Sequence, residues 1–156
     1  YEFALKNNYD LLITMDADLS HDPNELSNFI RNLEEFPVVL GSRYIDGGQC
    51  LMKGRRLIFS KYGNLIIKFI FQLDCNEFTT SYRGFNLKKL NNFHLNLIKT
   101  TGYSFFMGTV YEIFKQKFKV KEIPIIFKDR KKGHSKIPRV EILRTIINIL
   151  VLKFIK

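Results

Sequence analysis

Apolar residues follow two alternating rhythms along this chain. Short apolar runs of strand length occur at Asp10–Met15 (DLLITM), Pro37–Leu40 (PVVL) and Val120–Phe127 (VKEIPIIF). Runs of that length bounded by turn residues predict buried strands. Helical spacing fills the stretches between them. Asp22 stands as an N-cap with Pro23 at the first helical position and Glu25 at the third. This predicts a helix through about Glu35 with Leu26, Phe29, Ile30 and Leu33 on one face. Further helices are predicted from about Arg55 to Leu73, from Gly102-Tyr103 to about Phe118 and from Val140 onward, with a short one starting in Leu87–Leu90. Gly41 stops the second strand, Gly47-Gly48 marks a polar loop, Thr79–Phe85 reads as irregular and Lys128–Lys136 as a charged loop. Strands alternating with helices predict an α/β layered domain with a largely parallel sheet.

Composition narrows the class. The 156 residues are 46% apolar and 26% charged, which fits one globular domain with a real core and excludes a disordered or collagen-like chain. Lys and Arg number 25 against 15 Asp and Glu, a net charge of +10, so anions are the expected partners: phosphates, nucleic acid or acidic lipid heads. Cys50 and Cys75 make neither a disulfide framework nor a zinc set, and a reducing compartment is the simpler expectation. No stretch reaches the roughly 20 apolar residues of a spanning helix. The nearest, from Ile142 to Ile155, is interrupted by Arg144, Asn148 and Lys153. The chain does not begin with Met, and Tyr1–Asn8 reads as the tail of a helix already under way. It is therefore read as an excerpt lacking at least an N-terminal piece.

The chemistry starts at Asp16 and Asp18, just past the first predicted strand. Open α/β sheets place ligands at the carboxyl ends of strands, and residues two apart on a strand share a face. Two carboxylates on one side repel unless a cation sits between them, and a hard divalent ion such as Mg²⁺ or Mn²⁺ takes such ligands. Taken alone, a D-x-D pair is more often an exposed turn with solvated acids. His21 has no second His or Cys at metal spacing and reads as a loop histidine; His94 and His134 are assigned nothing. No Ser-His-Asp arrangement is evident. A basic nucleic-acid-binding module is the reading from a different class. Against it, the basic residues form no single helical stripe and no nucleic-acid motif is present.

Around the acidic pair lies an ordered series: DADLSHDP after LLITM, GSRY at Gly41–Tyr44, RRLIFSKYGN at Arg55–Asn64, TTSYRGF at Thr79–Phe85, GYSFF at Gly102–Phe106 and FKDRKKGHSK at Phe127–Lys136. In this order and spacing the chain resembles the family 2 glycosyltransferases of the A-type fold, a Rossmann-like, mostly parallel sheet flanked by helices. Within them it is most similar to the dolichol-phosphate mannose synthases and their bacterial polyprenol-phosphate relatives. The resemblance runs from Tyr9 to Ile142, and the family's N-terminal nucleotide-binding strand and turn are absent. Residues 1–139 then correspond to the C-terminal part of a catalytic domain, and 140–156 to an amphipathic, membrane-proximal helix.

The resemblance implies transfer of a sugar, with inversion, from a nucleotide diphosphate sugar to a polyprenyl or dolichyl phosphate. The donor implied is GDP-mannose, with UDP-glucose or another nucleotide sugar as the alternative. The implied setting is the anionic surface on the cytosolic face of a membrane, with Mg²⁺ or Mn²⁺ as cofactor. It implies Asp16 and Asp18 as metal and donor ligands, with Ser20 where the family often has Gln at a third metal contact. Arg43 is implied as catalytic and acceptor-binding, beside Arg55 or Arg56, Ser60 and Lys61. Arg130, Ser135 and Lys136, with Asp129 and Gly133, match the mobile loop that closes on the donor diphosphate. Arg83 matches a family arginine that could serve structural pairing. The family's GY-x-F-x-x-E pattern has Glu where this chain has Gly108, with Glu112 one helical turn later.

Overall fold

A computed structural model describes residues 1–91, 93–98, 100–102, 104–129 and 139–154. In chain order the elements are α1 (Glu2–Lys6), β1 (Leu11–Thr14), α2 (Leu26–Leu33), β2 (Val38–Ser42), β3 (Gln49–Cys50), α3 (Arg55–Phe71), β4 (Arg83–Asn86), α4 (Ser104–Lys115), β5 (Val120–Pro124), β6 (Ile126–Phe127) and α5 (Arg139–Phe154). A single 3-10 turn, Pro23–Glu25, leads into α2, and Asp22 caps it by accepting the Asn24 N–H at 3.0 Å.

The main sheet has the order β1-β4-β2-β5. β2 pairs parallel with β5, and β4 runs antiparallel to both β1 and β2. Strands β1, β2 and β5 therefore share one direction, with β4 reversed between the first two. This mixed sheet departs from the largely parallel expectation through β4, which is antiparallel to both of its neighbours. Thr79–Phe85 reads as irregular in sequence, yet Arg83–Asn86 is a strand paired on both sides. Gly84 makes that possible, because a Cβ there would lie 2.8 Å from Leu33 Cδ1 of the helix packed above it.

β2 shows why the sheet is buried on both faces. Val38 and Leu40 point into one core with Ile67, Phe71, Phe85, Met107 and Val110, while Val39 points into the other with Phe29, Leu33, Tyr82 and Ile123. Period-two alternation across a strand thus feeds two apolar layers. On α2, Phe29 and Leu33 are the buried pair, four residues apart; Ile30 is rotated off that stripe and is 46% exposed, against the expected four-residue face. The stretch VKEIPIIF divides in two. After Pro124, which has no N–H to give the ladder, the chain leaves the main sheet, and β6 pairs parallel with β3 in a two-stranded sheet.

The terminal helix α5 packs into the larger core through Ile149 and Leu152. Tyr111 of α4 donates to the Leu152 carbonyl at 3.1 Å, and the Ser104 and Thr145 hydroxyls meet at 3.2 Å. On α4 itself, Gly108 is required by contact. A Cβ at 108 would lie 2.0 Å from Thr100 Oγ1, so the threonine occupies the space a side chain would need. Gly108→Ala should accordingly lower the unfolding free energy by about 1–3 kcal/mol, the usual range for overpacking, despite alanine's better helix propensity. Adding Thr100→Ala should restore at least half of the loss. Urea unfolding of the single and double variants reads both.

Candidate active site

β1 carries the chain to an acidic turn beyond its carboxyl end, and the turn is pinned from several sides. The Asp16 N–H donates to His21 Nδ1 at 3.0 Å, and Asp16 Oδ1 accepts the Ser81 hydroxyl at 2.7 Å. Asp18 Oδ1 accepts the Ser20 N–H at 3.0 Å and also the Ser20 hydroxyl. Leu19, between them, has φ +66°, a left-handed conformation that only a tight turn imposes on leucine. The Ser20 carbonyl accepts the Lys128 N–H at 3.0 Å, and the Tyr82 hydroxyl donates to the Asp22 carbonyl at 3.0 Å. Ser20 is fully buried and spends its hydroxyl on Asp18, so it orients that carboxylate.

His21 lies in the loop, as its sequence reading has it, but is only 2% exposed. Its ring lies 4.9 Å from that of Tyr82 and 5.2 Å from that of Phe127. Burial pulls its pKa below the ordinary value, against the raising influence of Asp16, and the neutral ring can therefore accept at Nδ1.

At the carboxyl end of β2 stands Arg43, 8% exposed. Its Nε donates to Glu77 Oε2 at 2.6 Å; its Nη2 donates to Glu77 Oε1 at 2.8 Å and to Thr79 Oγ1 at 2.8 Å. Glu77 is fully buried and also accepts the N–H groups of Thr79 and Thr80. Burial alone would lower the arginine pKa and raise that of the glutamate. Their mutual attraction and hydrogen bonds outweigh it, so Arg43 is raised and Glu77 lowered, and both stay charged. The guanidinium also lies over the rings of Tyr44 (5.1 Å) and Phe127 (5.2 Å). Phe127 thus stands between Arg43 and His21, joining the acidic turn to the cationic side.

The hydroxyl of Tyr44 donates to Ser60 of α3 at 2.7 Å, and burial pushes its phenol up to about 12. Buried Asn64 ties the same helix to the next segment: its Oδ1 accepts the Phe78 N–H at 2.7 Å. Between α3 and the segment after β2 opens a cleft of about 490 Å³, lined among others by Arg43, Tyr44, Lys61, Tyr62, Leu65 and Lys68. It combines cations with apolar walls. Gly48 shapes its far side, since a Cβ there would meet the Ser42 carbonyl oxygen at 2.6 Å.

The remaining sequence-derived residues are placed as follows. Arg56, in the first turn of α3, pairs with Asp129 at 3.0 Å on the surface, and Arg55 beside it is exposed. Arg130, Gly133, Ser135 and Lys136 lie outside the described residues. Arg83 is a structural arginine: 2% exposed, it donates to the carbonyls of Thr80 (2.6 Å), Phe78 (2.9 Å) and Phe106 (2.8 Å). Burial pushes its pKa down to about 10. Glu112 is buried on α4. Among the described residues no three His, Cys, Asp or Glu side chains converge on a metal position. Two carboxylates suit Mg²⁺ or Mn²⁺ nonetheless, because such an ion is usually held by one or two carboxylates and takes its other oxygens from substrate phosphates and water. Glu77, His21, Tyr82 and Asn64 escaped the sequence reading. Each acts through a partner distant in sequence or through burial, and no local spacing marks it.

The model of the family "Glycosyl transferase family 2" matches residues 5–93, more than half of the chain, and the chain belongs to that family. It is 32% identical over 138 residues, 87% of its length, to a polyprenol monophosphomannose synthase of Mycolicibacterium smegmatis, of which the match covers 52%. It is 27% identical over 150 residues, 96% of its length, to an undecaprenyl-phosphate mannosyltransferase of Micrococcus luteus, of which 62% is covered. The chain thus spans roughly half to three-fifths of the length of these curated relatives.

The Arg43–Glu77 pair generates a pH-linked prediction. A buried pair broken by loss of one partner costs about 3–5 kcal/mol, so Glu77→Gln should lower the unfolding free energy by an amount of that order. The folded-state pKa of Glu77 lies below its ordinary value of 4.5. Its contribution is then complete above that value and is lost as the pH falls through the depressed folded value. Denaturant unfolding followed downward from pH 6 should show a steeper acid loss in the wild type than in Glu77→Gln; parallel curves would contradict the assignment.

Proposed function

We propose that this protein transfers mannose from GDP-mannose to a polyprenyl phosphate at the cytosolic face of a membrane, with inversion at the anomeric carbon and with Mg²⁺ or Mn²⁺ as cofactor. One observation carries the reading: His21, which holds the Asp16 N–H, and Arg43, which lines a cleft of mixed cations and apolar walls, both lie against the ring of Phe127. The names of the two relatives, one a synthase of polyprenol monophosphomannose and one a mannosyltransferase to undecaprenyl phosphate, support the same acceptor and sugar.

The acceptor needs no general base, because the second pKa of a phosphate monoester is near 6. Its oxygen attacks the anomeric carbon while the bond from that carbon to the donor diphosphate breaks, and the electron pair leaves with the nucleoside diphosphate. Asp16 and Asp18 would hold the divalent cation, which when bound neutralises the charge growing on the departing diphosphate. Arg43, Arg55, Arg56, Ser60 and Lys61 serve the acceptor phosphate in this reading, and Arg130, Ser135 and Lys136 the donor. Two anions approaching one another each need their own cations. The Arg56–Asp129 pair is no obstacle, since an exposed pair contributes only about 0–1 kcal/mol. Glu77 holds Arg43 charged and in place, and Leu65 and Tyr62 offer the lipid an apolar path toward it.

The surface fits a lipid boundary. On α3, Ile58, Phe59, Leu65, Ile66 and Phe69 are more than half exposed, Phe69 by 82%; on α5, Ile146, Ile147 and Leu150 are about half exposed and Phe154 more so. Among the described residues no helix is long and apolar enough to cross a membrane. Exposed apolar side chains among lysines and arginines suit a position in the headgroup region.

Two measurements test the reading. Asp18→Asn should reduce mannosyl transfer at least a hundredfold with an unchanged circular dichroism spectrum. Lys61→Ala should raise the KM for polyprenyl phosphate about tenfold or more, the loss of one charge-assisted hydrogen bond, and leave the KM for GDP-mannose within about twofold. Undiminished transfer by Asp18→Asn defeats the proposal. For the membrane part, the protein should co-sediment with anionic vesicles at low salt. Phe59→Glu with Phe69→Glu should release it without loss of folding.

A further inference from the structure

We infer that His21 is a positioning residue for the acidic turn, acting as a neutral hydrogen-bond acceptor that holds Asp16 and, through the shared turn, Asp18. This rests on the reading of those carboxylates as the cation and donor site. The imidazole Nδ1 takes the Asp16 N–H at 3.0 Å, closing the segment from residue 16 to residue 21 that carries both Asp16 and Asp18. An acceptor at Nδ1 must be bare, so the proton sits on Nε2. Nε2 is buried and has no hydrogen-bond partner among the described residues. A buried polar nitrogen left unpaired is a standing penalty. It is retained here beside a backbone contact that a smaller polar side chain at this position could also make. The ring fills the gap between Tyr82 and Phe127, and these two aromatic residues belong to the segments that pin the turn from outside. Tyr82 holds the Asp22 carbonyl, and the residue after Phe127 holds the Ser20 carbonyl. Histidine therefore meets two demands together. Its ring carries the packing, and its Nδ1 satisfies the one backbone donor whose direction sets the first carboxylate.

Asparagine and glutamine separate those demands. Asparagine Oδ1 falls near the place of Nδ1, whereas glutamine carries its oxygen out toward the place of Nε2. In the wild type, ¹⁵N NMR should show His21 with a bare Nδ1 and a protonated Nε2. The Asp16 amide should be protected from hydrogen exchange. His21→Asn should keep that protection, and His21→Gln should lose it by at least tenfold. Titration of Mn²⁺ in the presence of GDP, followed by electron paramagnetic resonance, should show affinity within about threefold of wild type for His21→Asn and about fivefold to a hundredfold weaker for His21→Gln. A protonated Nδ1, or equal behaviour of the two variants at the Asp16 amide, would overturn the inference. Should a variant fail to fold, the ring-nitrogen spectrum of the wild type still decides. Absence of Mn²⁺ binding by the wild type with GDP would instead defeat the proposed function, while the exchange data would still report on the role of His21.

Discussion

The buried pair of Arg43 and Glu77 is the contact on which the rest of the site depends. Glu77 is fully buried and Arg43 nearly so, and each charge must be matched within the protein. Glu77 achieves this with the fork of Arg43, the Thr79 hydroxyl and two backbone N–H groups. That arrangement exists only if residues 77–80 fold against the end of β2. Once they do, the chain continues directly into Ser81 and Tyr82, which reach the acidic turn. The ion pair thereby helps to set where the acidic turn sits, through the segment that runs from Glu77 to Tyr82.

A second constraint is the break at Pro124. If the strand had continued along β2, its last residues would have stayed in the main sheet. By leaving it, the chain places Phe127 against both His21 and Arg43 and brings the Lys128 N–H to the Ser20 carbonyl. An aromatic ring between a cation and a neutral imidazole separates the acidic and basic sides of the site by the thickness of one side chain. Lys128, the residue after Phe127, also reaches the acidic turn with its side chain, its Nζ 3.5 Å from Asp22 Oδ2, so the fold concentrates opposite charges around one small region.

The helices divide the remaining work unequally. α4 is buried along most of its length, and its Gly108 yields to Thr100 the volume a side chain would take. α3 buries Asn64, Ile67 and Phe71 and leaves an apolar outer face open. Its inner face joins the sheet and cleft, so one helix carries both a wall of the cleft and the outer apolar surface.

Much of this was legible in the order of residues. β2 announces itself as an unbroken apolar run, α2 by Asp22 and Pro23 before Phe29 and Leu33, and the acidic pair by its place after a strand. These are signals carried within a few residues, by propensity, capping and periodicity. β4 was not legible, because an arginine and a glycine in its core contradict a strand until the carbonyls of Thr80, Phe78 and Phe106 receive the one and Leu33 closes over the other. Glu77 and His21 were not legible either. The glutamate is an ordinary acid until Arg43, 34 residues away, removes it from solvent, and the histidine is a loop residue until Tyr82 and Phe127 enclose it. Local sequence sets backbone preference and which faces are apolar. Which charges are buried, and against what, depends on contacts between distant segments, and only the tertiary structure decides those.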